Sequence, residues 1–375
     1  MKKIVFLLIL VISFQCLKAQ YSLRIIVDSV ATKKGQDMYV AGSFNNWNPH
    51  DYNYKLKPFG TTRRGIVLKD IAVGKYEFKL TRGTDKWETT AKGDDIPNRE
   101  VTVNEDVTVN CKVEGWKDDF PDKPKPFTAT AQVSIIDTAF AIPQLNRTRR
   151  VWIYLPKGYV SAKKKYPVIY MHDGQNLFNE QTASFGEWGV DEALDTLQQR
   201  TGKEAIIVGI DHGGNTRINE YSPYDMQKYG KGEGSQYVDF IVTTLKPYID
   251  NKYKTLKDSN NTYIAGSSLG GSISLYALAK YPNVFAGAGV FSPAFWTTPA
   301  LYDEVDKARW STKKKIFFYA GGKESDDMVP DMEKMVEVIQ KKGSYAIKKI
   351  VSPLGNHNEK AWREEFPEFY VFILN

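Results

Sequence analysis

The sequence is poor in the side chains that most often hold metals or cross-link exported folds. Among its 375 residues are two cysteines, Cys16 and Cys111, and four histidines, His50, His172, His212 and His357. Cys16 falls in an amino-terminal targeting segment, so Cys111 is left alone. An intrachain disulfide and a cysteine zinc cluster are thereby excluded. No two histidines have the HExxH spacing, which argues against a metal-centred mechanism, and no cofactor is expected. Long apolar runs are missing too, so no membrane span is expected. Charge of one sign is not dominant either. The formal net charge is +7, and lysine-rich stretches such as SAKKKYP and STKKKIFF are scattered as solvated faces are. Nucleic acid is therefore not an expected partner. Oligomeric state is not legible.

What is present begins with a leader. Lys2 and Lys3 precede a short apolar core, Ile4 to Phe14, and Ala19 supplies a small residue before Gln20. This pattern is that of a secretory signal peptide over residues 1–19, and the expected location is periplasmic or secreted. Cys16 raises a lipid anchor, but Phe14-Gln15 lacks the small residue that lipidation prefers. Loss of residues 1–19 removes Lys2, Lys3 and Lys18 and no acid, taking the net charge from +7 to +4.

Two textures follow. Over residues 20–115, MYVAGSF, GIVLKDI, KYEFKLT and REVTVNEDVTVNCKV read as short strands between Gly, Asn and Asp turns. They predict an all-β sandwich of immunoglobulin-like size. WKDDFPDKPKPF, residues 116–127, reads as a proline-rich charged linker. From residue 128 to 375 strands alternate with helices. RRVWIYLP, PVIYMHD, AIIVGID, TYIAGS, FAGAGVFS, KIFFYAGG and AIKKIVSP are the strands. The clearest helices are WGVDEALDTLQQR, SQYVDFIVTTLKPYID, GSISLYALAKYP and MVPDMEKMVEVIQKKG. The alternation predicts a mostly parallel sheet flanked by helices, with its site at the carboxyl ends of the strands.

Gly266-Ser267-Ser268-Leu269-Gly270 matches G-x-S-x-G between a strand and a helix, with Ser268 in the nucleophile position. A serine alcohol needs a neighbouring base, itself steadied by an acid. In the α/β-hydrolase order both follow the serine. His357 is the only histidine downstream. Glu324 is the first acid after the Gly321-Gly322 turn; Asp326 is the alternative acid, and Asp327 is close by. Some of these three acids could instead serve the start of the following helix. An oxyanion hole needs two N–H donors, expected from Leu269 and Gln175. His172 is expected to orient the HDGQNLF loop by hydrogen bonding, and His212 to line a loop after another strand. Trp188, Phe295 and Trp296 are candidate walls of an acyl pocket, with core packing as the competing role. Arg217 and Glu220 read as an ion pair, with contact to substrate as the alternative.

HDGQNLF, FGEWGVDEAL, GIDHGGNTRINEYSP, GSSLGG, YAGGKES and GNHNEKAWREEFP together resemble the putative-esterase group of α/β-hydrolases, which includes carbohydrate esterase family 1 and enterobactin-esterase-like proteins. The resemblance implies an α/β-hydrolase fold, a Ser268–Glu324–His357 triad and cofactor-free ester hydrolysis. Many relatives carry Asp where this chain has Glu324. VAGSFNNWNP, with GKYEFKL and TDKWETT, resembles family 48 carbohydrate-binding modules. That resemblance implies Trp47 and Trp87 as a sugar-stacking platform, with Lys79 and Asn98 bonding hydroxyls. Trp47 also suits a packing role in the sandwich. Together these features predict a secreted esterase acting on feruloyl or acetyl groups of a polysaccharide or oligosaccharide. A siderophore or small-molecule esterase, and a non-catalytic polysaccharide-binding protein, are the alternatives.

Overall fold

The computed structural model of the protein describes residues 20–121, 124–311 and 313–375. The leader and Cys16 lie outside the described residues. The chain divides into two compact units, parted between Lys123 and Pro124.

The first unit is built of strands. These are β1 (Gln20–Val30), β2 (Tyr39–Gly42), β3 (Lys57–Phe59), β4 (Arg63–Ala72), β5 (Gly74–Thr81), β6 (Glu88–Thr89), β7 (Arg99–Val103), β8 (Val107–Val113) and β9 (Gly115–Trp116). They form sheets in the order β3-β4-β1-β8 and β2-β5-β7, with β6-β9 as a short pair. Alternate residues of the two larger sheets meet in one apolar core. Ile25 and Val27 of β1, Val40 of β2 and Phe78 and Leu80 of β5 are among its members. Cys111 lies in that core, and burial pushes its thiol up to about 11, which makes it inert.

The segment read as a linker is only partly one. Trp116 is fully buried, its indole N–H reaches the Thr32 carbonyl at 3.3 Å, and the Arg82 guanidinium lies 5.0 Å from its ring centroid. Lys33 pairs with Asp118 at 3.0 Å and Asp119 at 2.9 Å. The alternating charges that suggested a solvated linker are matched to partners distant in sequence, so residues 116–120 belong to the first unit.

In the second unit eight strands form one sheet. They are β10 (Val133–Ile142), β11 (Arg147–Tyr154), β12 (Val168–His172), β13 (Ile206–Ile210), β14 (Thr262–Ser267), β15 (Gly287–Phe291), β16 (Lys315–Gly321) and β17 (Ala346–Ser352). Their order is β10-β11-β13-β12-β14-β15-β16-β17. The β10–β11 and β11–β13 pairs are antiparallel and the rest are parallel. The central strands are continuous apolar runs because both faces are covered. Val168 and Tyr170 face one core while Ile169 and Met171 face the other. Helices α1 (Val190–Thr201) and α8 (Glu359–Ile373) cover the second face. The first is covered by α3 (Gly234–Phe240), a π turn (Ile241–Leu245) running into α4 (Lys246–Lys252), α5 (Leu269–Lys280), α6 (Leu301–Lys307) and α7 (Met328–Lys342). The short α2 (Arg217–Glu220) follows β13. No described helix is long and apolar enough to cross a membrane.

Candidate active site

Strand β14 ends at Ser267 and α5 begins at Leu269, which leaves Ser268 alone on the turn. Its backbone sits at φ 58°, ψ −124°, a conformation that costs an L-residue energy and marks strain at the junction. The flanking glycines are needed because the turn is pressed against β12. A Cβ on Gly266 would stand 2.9 Å from Cδ2 of His172, and one on Gly270 3.3 Å from its Cβ. Leu269 is the first residue of α5, so its N–H has no carbonyl within the helix to meet.

His357 lies on the loop between β17 and α8, 33 residues beyond Glu324, yet its Nδ1 donates to Glu324 Oε2 at 2.6 Å. The Glu324 side chain is 1% exposed. Its other oxygen, Oε1, accepts from Ser292 Oγ and from the Gly321 N–H, each at 2.6 Å. Ser292 in turn accepts the indole N–H of Trp362 at 2.9 Å, and the Trp362 ring stands edge-on to the imidazole at 5.2 Å. One carboxylate thus fixes the imidazole, and a serine and a tryptophan fix the carboxylate. Asp326 and Asp327 are exposed at the start of α7, away from this network. The geometry puts Glu324 on the imidazole.

Ser268 and His357 line one cleft of about 430 Å³. Its aromatic walls are Phe185, Trp188 and Trp362. Trp188, expected at the pocket, is there, with its ring 5.7 Å from that of Trp362. The other two expected walls are elsewhere. Phe295 is fully buried in the core against Tyr302, because the turn after β15 directs it inward. Its neighbour Trp296 is 69% exposed and is not among the lining residues. Phe185, 83% exposed on the loop after β12, takes the place intended for them.

Polar groups face the cleft from the other loops. Asp173, at φ 57°, holds Arg217 through two hydrogen bonds of 2.7 and 2.9 Å. Burial alone would raise the Asp173 pKa, but the guanidinium holds it below the ordinary carboxylate value. Arg217 therefore does not pair with Glu220, which is buried between Arg147 and Arg149. His212 also lines the cleft. Its Nδ1 accepts from the Gly214 N–H at 2.9 Å, so the ring proton resides on Nε2, and burial lowers its pKa.

Gln175 occupies the turn after β12. In that turn the Asp173 N–H donates to Tyr221 Oη and the Asn176 N–H to the Asp173 carbonyl, and among the described residues the Gln175 N–H meets no acceptor. Neither Leu269 nor Gln175 is a lining residue of the cleft. The Gln175 side chain is committed to the His212 N–H at 3.1 Å.

His172 does not reach the loop it was expected to orient. It is 1% exposed beneath the turn, its Nδ1 meets Tyr237 Oη of α3 at 3.0 Å, and its buried Nε2 has no partner among the described residues. Burial lowers its pKa from the ordinary 6.5 to about 4. In an unfolded chain this ring binds its proton near pH 6.5, so acid favours unfolding. The folded form should lose stability as pH falls from 6.5 towards 4 and gain nothing above 6.5, a change of about 3 kcal/mol for this one residue. Thermal melts of the wild type and of His172→Gln across that window test this. A wild-type slope no steeper than that of the variant would overturn it.

The four residues assigned to sugar binding lie in the first unit. Lys79, on β5, and Glu77 share its outer face, since Phe78 between them is in the core. Exposed Asn98 donates to Glu77 on that face at 2.9 Å. Trp47 is half-buried at φ 58° in the turn after β2, and Trp87 is half-buried beside Thr81.

Comparison with known proteins agrees with this architecture. The family model described as "Putative esterase" matches residues 142–372, well over half of the chain. The chain belongs to the Putative esterase family. Among curated relatives of this esterase-family chain, the Bacillus subtilis protein YbbA, described as uncharacterized, is 29% identical over 155 residues, covering 40% of this chain and 58% of that protein. The chain thus spans under two thirds of that relative. The endo-1,4-beta-xylanase/feruloyl esterase of Xylanibacter ruminicola is 25% identical over 215 residues, 56% of this chain and 27% of that one. Among solved structures, a ferulic acid esterase superposes with a TM-score of 0.52 at 23% identity, over 65% of this chain and 98% of its own. The enterobactin esterase of Shigella flexneri gives 0.55 at 17% identity, over 90% and 88%. These likenesses give the second unit an α/β-hydrolase-like fold with a mixed sheet.

Sequence reasoning did not find Ser292, Phe185, Asn176, Glu359 or Trp362. Trp362 and Glu359 stood in a segment quoted for its resemblance. The i, i+3 spacing that places both on one side of α8 was the available signal.

Proposed function

We infer that this chain is an exported serine carboxylesterase that removes acyl groups, feruloyl or acetyl, from a polysaccharide or oligosaccharide. The observation that carries the reading is the 2.6 Å contact between Glu324 and His357 on a cleft that Ser268 also lines. In this reading an ester binds and the Ser268 hydroxyl closes to hydrogen-bond distance of His357 Nε2. His357 takes the proton as Oγ attacks the carbonyl carbon, and Glu324 steadies the imidazolium. The N–H groups of Leu269 and Gln175 hold the oxyanion. The C–O bond to the alcohol breaks, and the alcohol leaves with the proton from His357. Water then attacks the acyl-enzyme by the reverse route. Each oxyanion donor would supply about 3–4 kcal/mol. No step requires a metal or an organic cofactor.

The aromatic walls Phe185, Trp188 and Trp362 suit a flat acyl group, and a relative bears the name feruloyl esterase. A second reading, a siderophore ester as substrate, is favoured by the iron(III) salmochelin esterase of Escherichia coli, 25% identical over 169 residues. Mass spectrometry of products from feruloylated arabinoxylan, acetylated xylan and enterobactin decides. Release of ferulate or acetate is expected, and cleavage of enterobactin alone would replace the first reading with the second.

The first unit, read as a family 48-like carbohydrate-binding sandwich, would use Trp47 and Trp87 for stacking and Lys79 and Asn98 for hydroxyls. The full chain should be retained on insoluble xylan or starch. Trp47→Ala combined with Trp87→Ala should weaken retention about tenfold. Absence of retention in the wild type would reduce this unit to a spacer.

A further inference from the structure

Glu359 opens α8 two residues after His357 and lines the cleft, although it is only 6% exposed. It is not needed to start the helix, because Asn358 caps it by accepting the Ala361 N–H at 3.0 Å. Its carboxyl group is poorly supplied. Asn176 Nδ2 donates to Oε1 at a long 3.4 Å, and among the described residues the only other donor is its own backbone N–H. A carboxyl group has about four acceptor sites, and leaving them empty while it is buried is costly. Burial also raises its pKa, with the nearby Asp173 acting in the same direction. Trp362 follows one helical turn later on the same side, edge-on to the catalytic imidazole. A substrate lying on the aromatic wall and reaching Ser268 therefore passes the sparsely bonded carboxyl group of Glu359.

We propose that Glu359, with Asn176 beside it, selects esters that carry a free hydroxyl, which it binds by a hydrogen bond. This rests on the esterase reading above. The hydroxyl has two sources, the phenol of an aromatic acyl group or the sugar that forms the alcohol.

The test measures kcat/KM of the full chain on two pairs of esters. Methyl p-coumarate and methyl cinnamate differ by the phenolic hydroxyl. A monoacetylated methyl xyloside and its counterpart with the remaining hydroxyls methylated differ on the alcohol side. The wild type should prefer the hydroxylated member of one pair by roughly 10- to 100-fold, and the pair that responds names the source. Glu359→Ala should bring that ratio close to unity. Glu359→Gln, which keeps an acceptor oxygen, should retain it in part, a recovery that a packing role would not give. A wild type indifferent within both pairs, or an alanine variant that keeps the ratio, overturns the proposal, and the first outcome needs no variant to fold. Hydrolysis of none of the four esters, nor of p-nitrophenyl acetate, would instead remove the esterase reading itself.

Discussion

Ser268→Ala is expected to lower kcat for p-nitrophenyl acetate by about 10⁴- to 10⁶-fold. The substitution removes one oxygen and leaves the Cβ in place, so the cost of a side chain at φ 58° is already present in the wild type. The bonds that hold the turn are backbone ones and survive. They run from the Ser268 N–H to the Phe291 carbonyl at 2.9 Å and from the Gly271 N–H to the Ser268 carbonyl at 3.0 Å. Stability should therefore change by less than about 1 kcal/mol, and loss of turnover can be assigned to the lost hydroxyl. Residual activity from a preserved oxyanion hole would be small and would show no acyl-enzyme by mass spectrometry. Undiminished hydrolysis by the alanine variant would end the serine mechanism.

Glu324→Gln carries the second large effect, about 10³- to 10⁴-fold in kcat, and the reason is geometric. Oε1 of Glu324 accepts two hydrogens, from Ser292 and from the Gly321 N–H. A glutamine must keep its single oxygen there, since an NH₂ would face two donors. Its NH₂ is then forced against Nδ1 of His357, which must become an acceptor. The ring proton moves to Nε2, and the nitrogen facing the cleft can no longer take a proton from Ser268. Asp326→Ala, at an exposed position near the start of α7, should stay within about twofold of the wild type. Steady-state kinetics of the two variants side by side make the test. A large loss for Asp326→Ala with a small one for Glu324→Gln would reverse the assignment of the acid.

The strands of the second unit could be read in advance because a parallel strand covered on both faces is an unbroken apolar run. The turn at Ser268 could be read because its glycines answer a steric demand that travels with the motif. Among the longer elements, β1, β10 and α8 did not stand out. β10 is an edge strand with most of its residues accessible, so its alternation is weak, whereas β1 lies inside its sheet between β4 and β8. Helix α8 carries Pro367 in its interior, which reads as a break. The burial of Trp362, Phe366, Phe369, Tyr370 and Ile373 along one side outweighs the lost hydrogen bond.

The sequence alone determined the family texture and singled out Ser268 by its motif and His357 as the one histidine downstream of it, because motif spacing is local. Tertiary structure decided which acid meets the imidazole, that Ser292 and Trp362 steady it, and that Phe295 and Trp296, adjacent in the chain, face a core and the solvent rather than the cleft. These outcomes depend on where loops separated by 32 to 70 residues come to rest. That is fixed by the order of strands in the sheet, and no local pattern of residues encodes it.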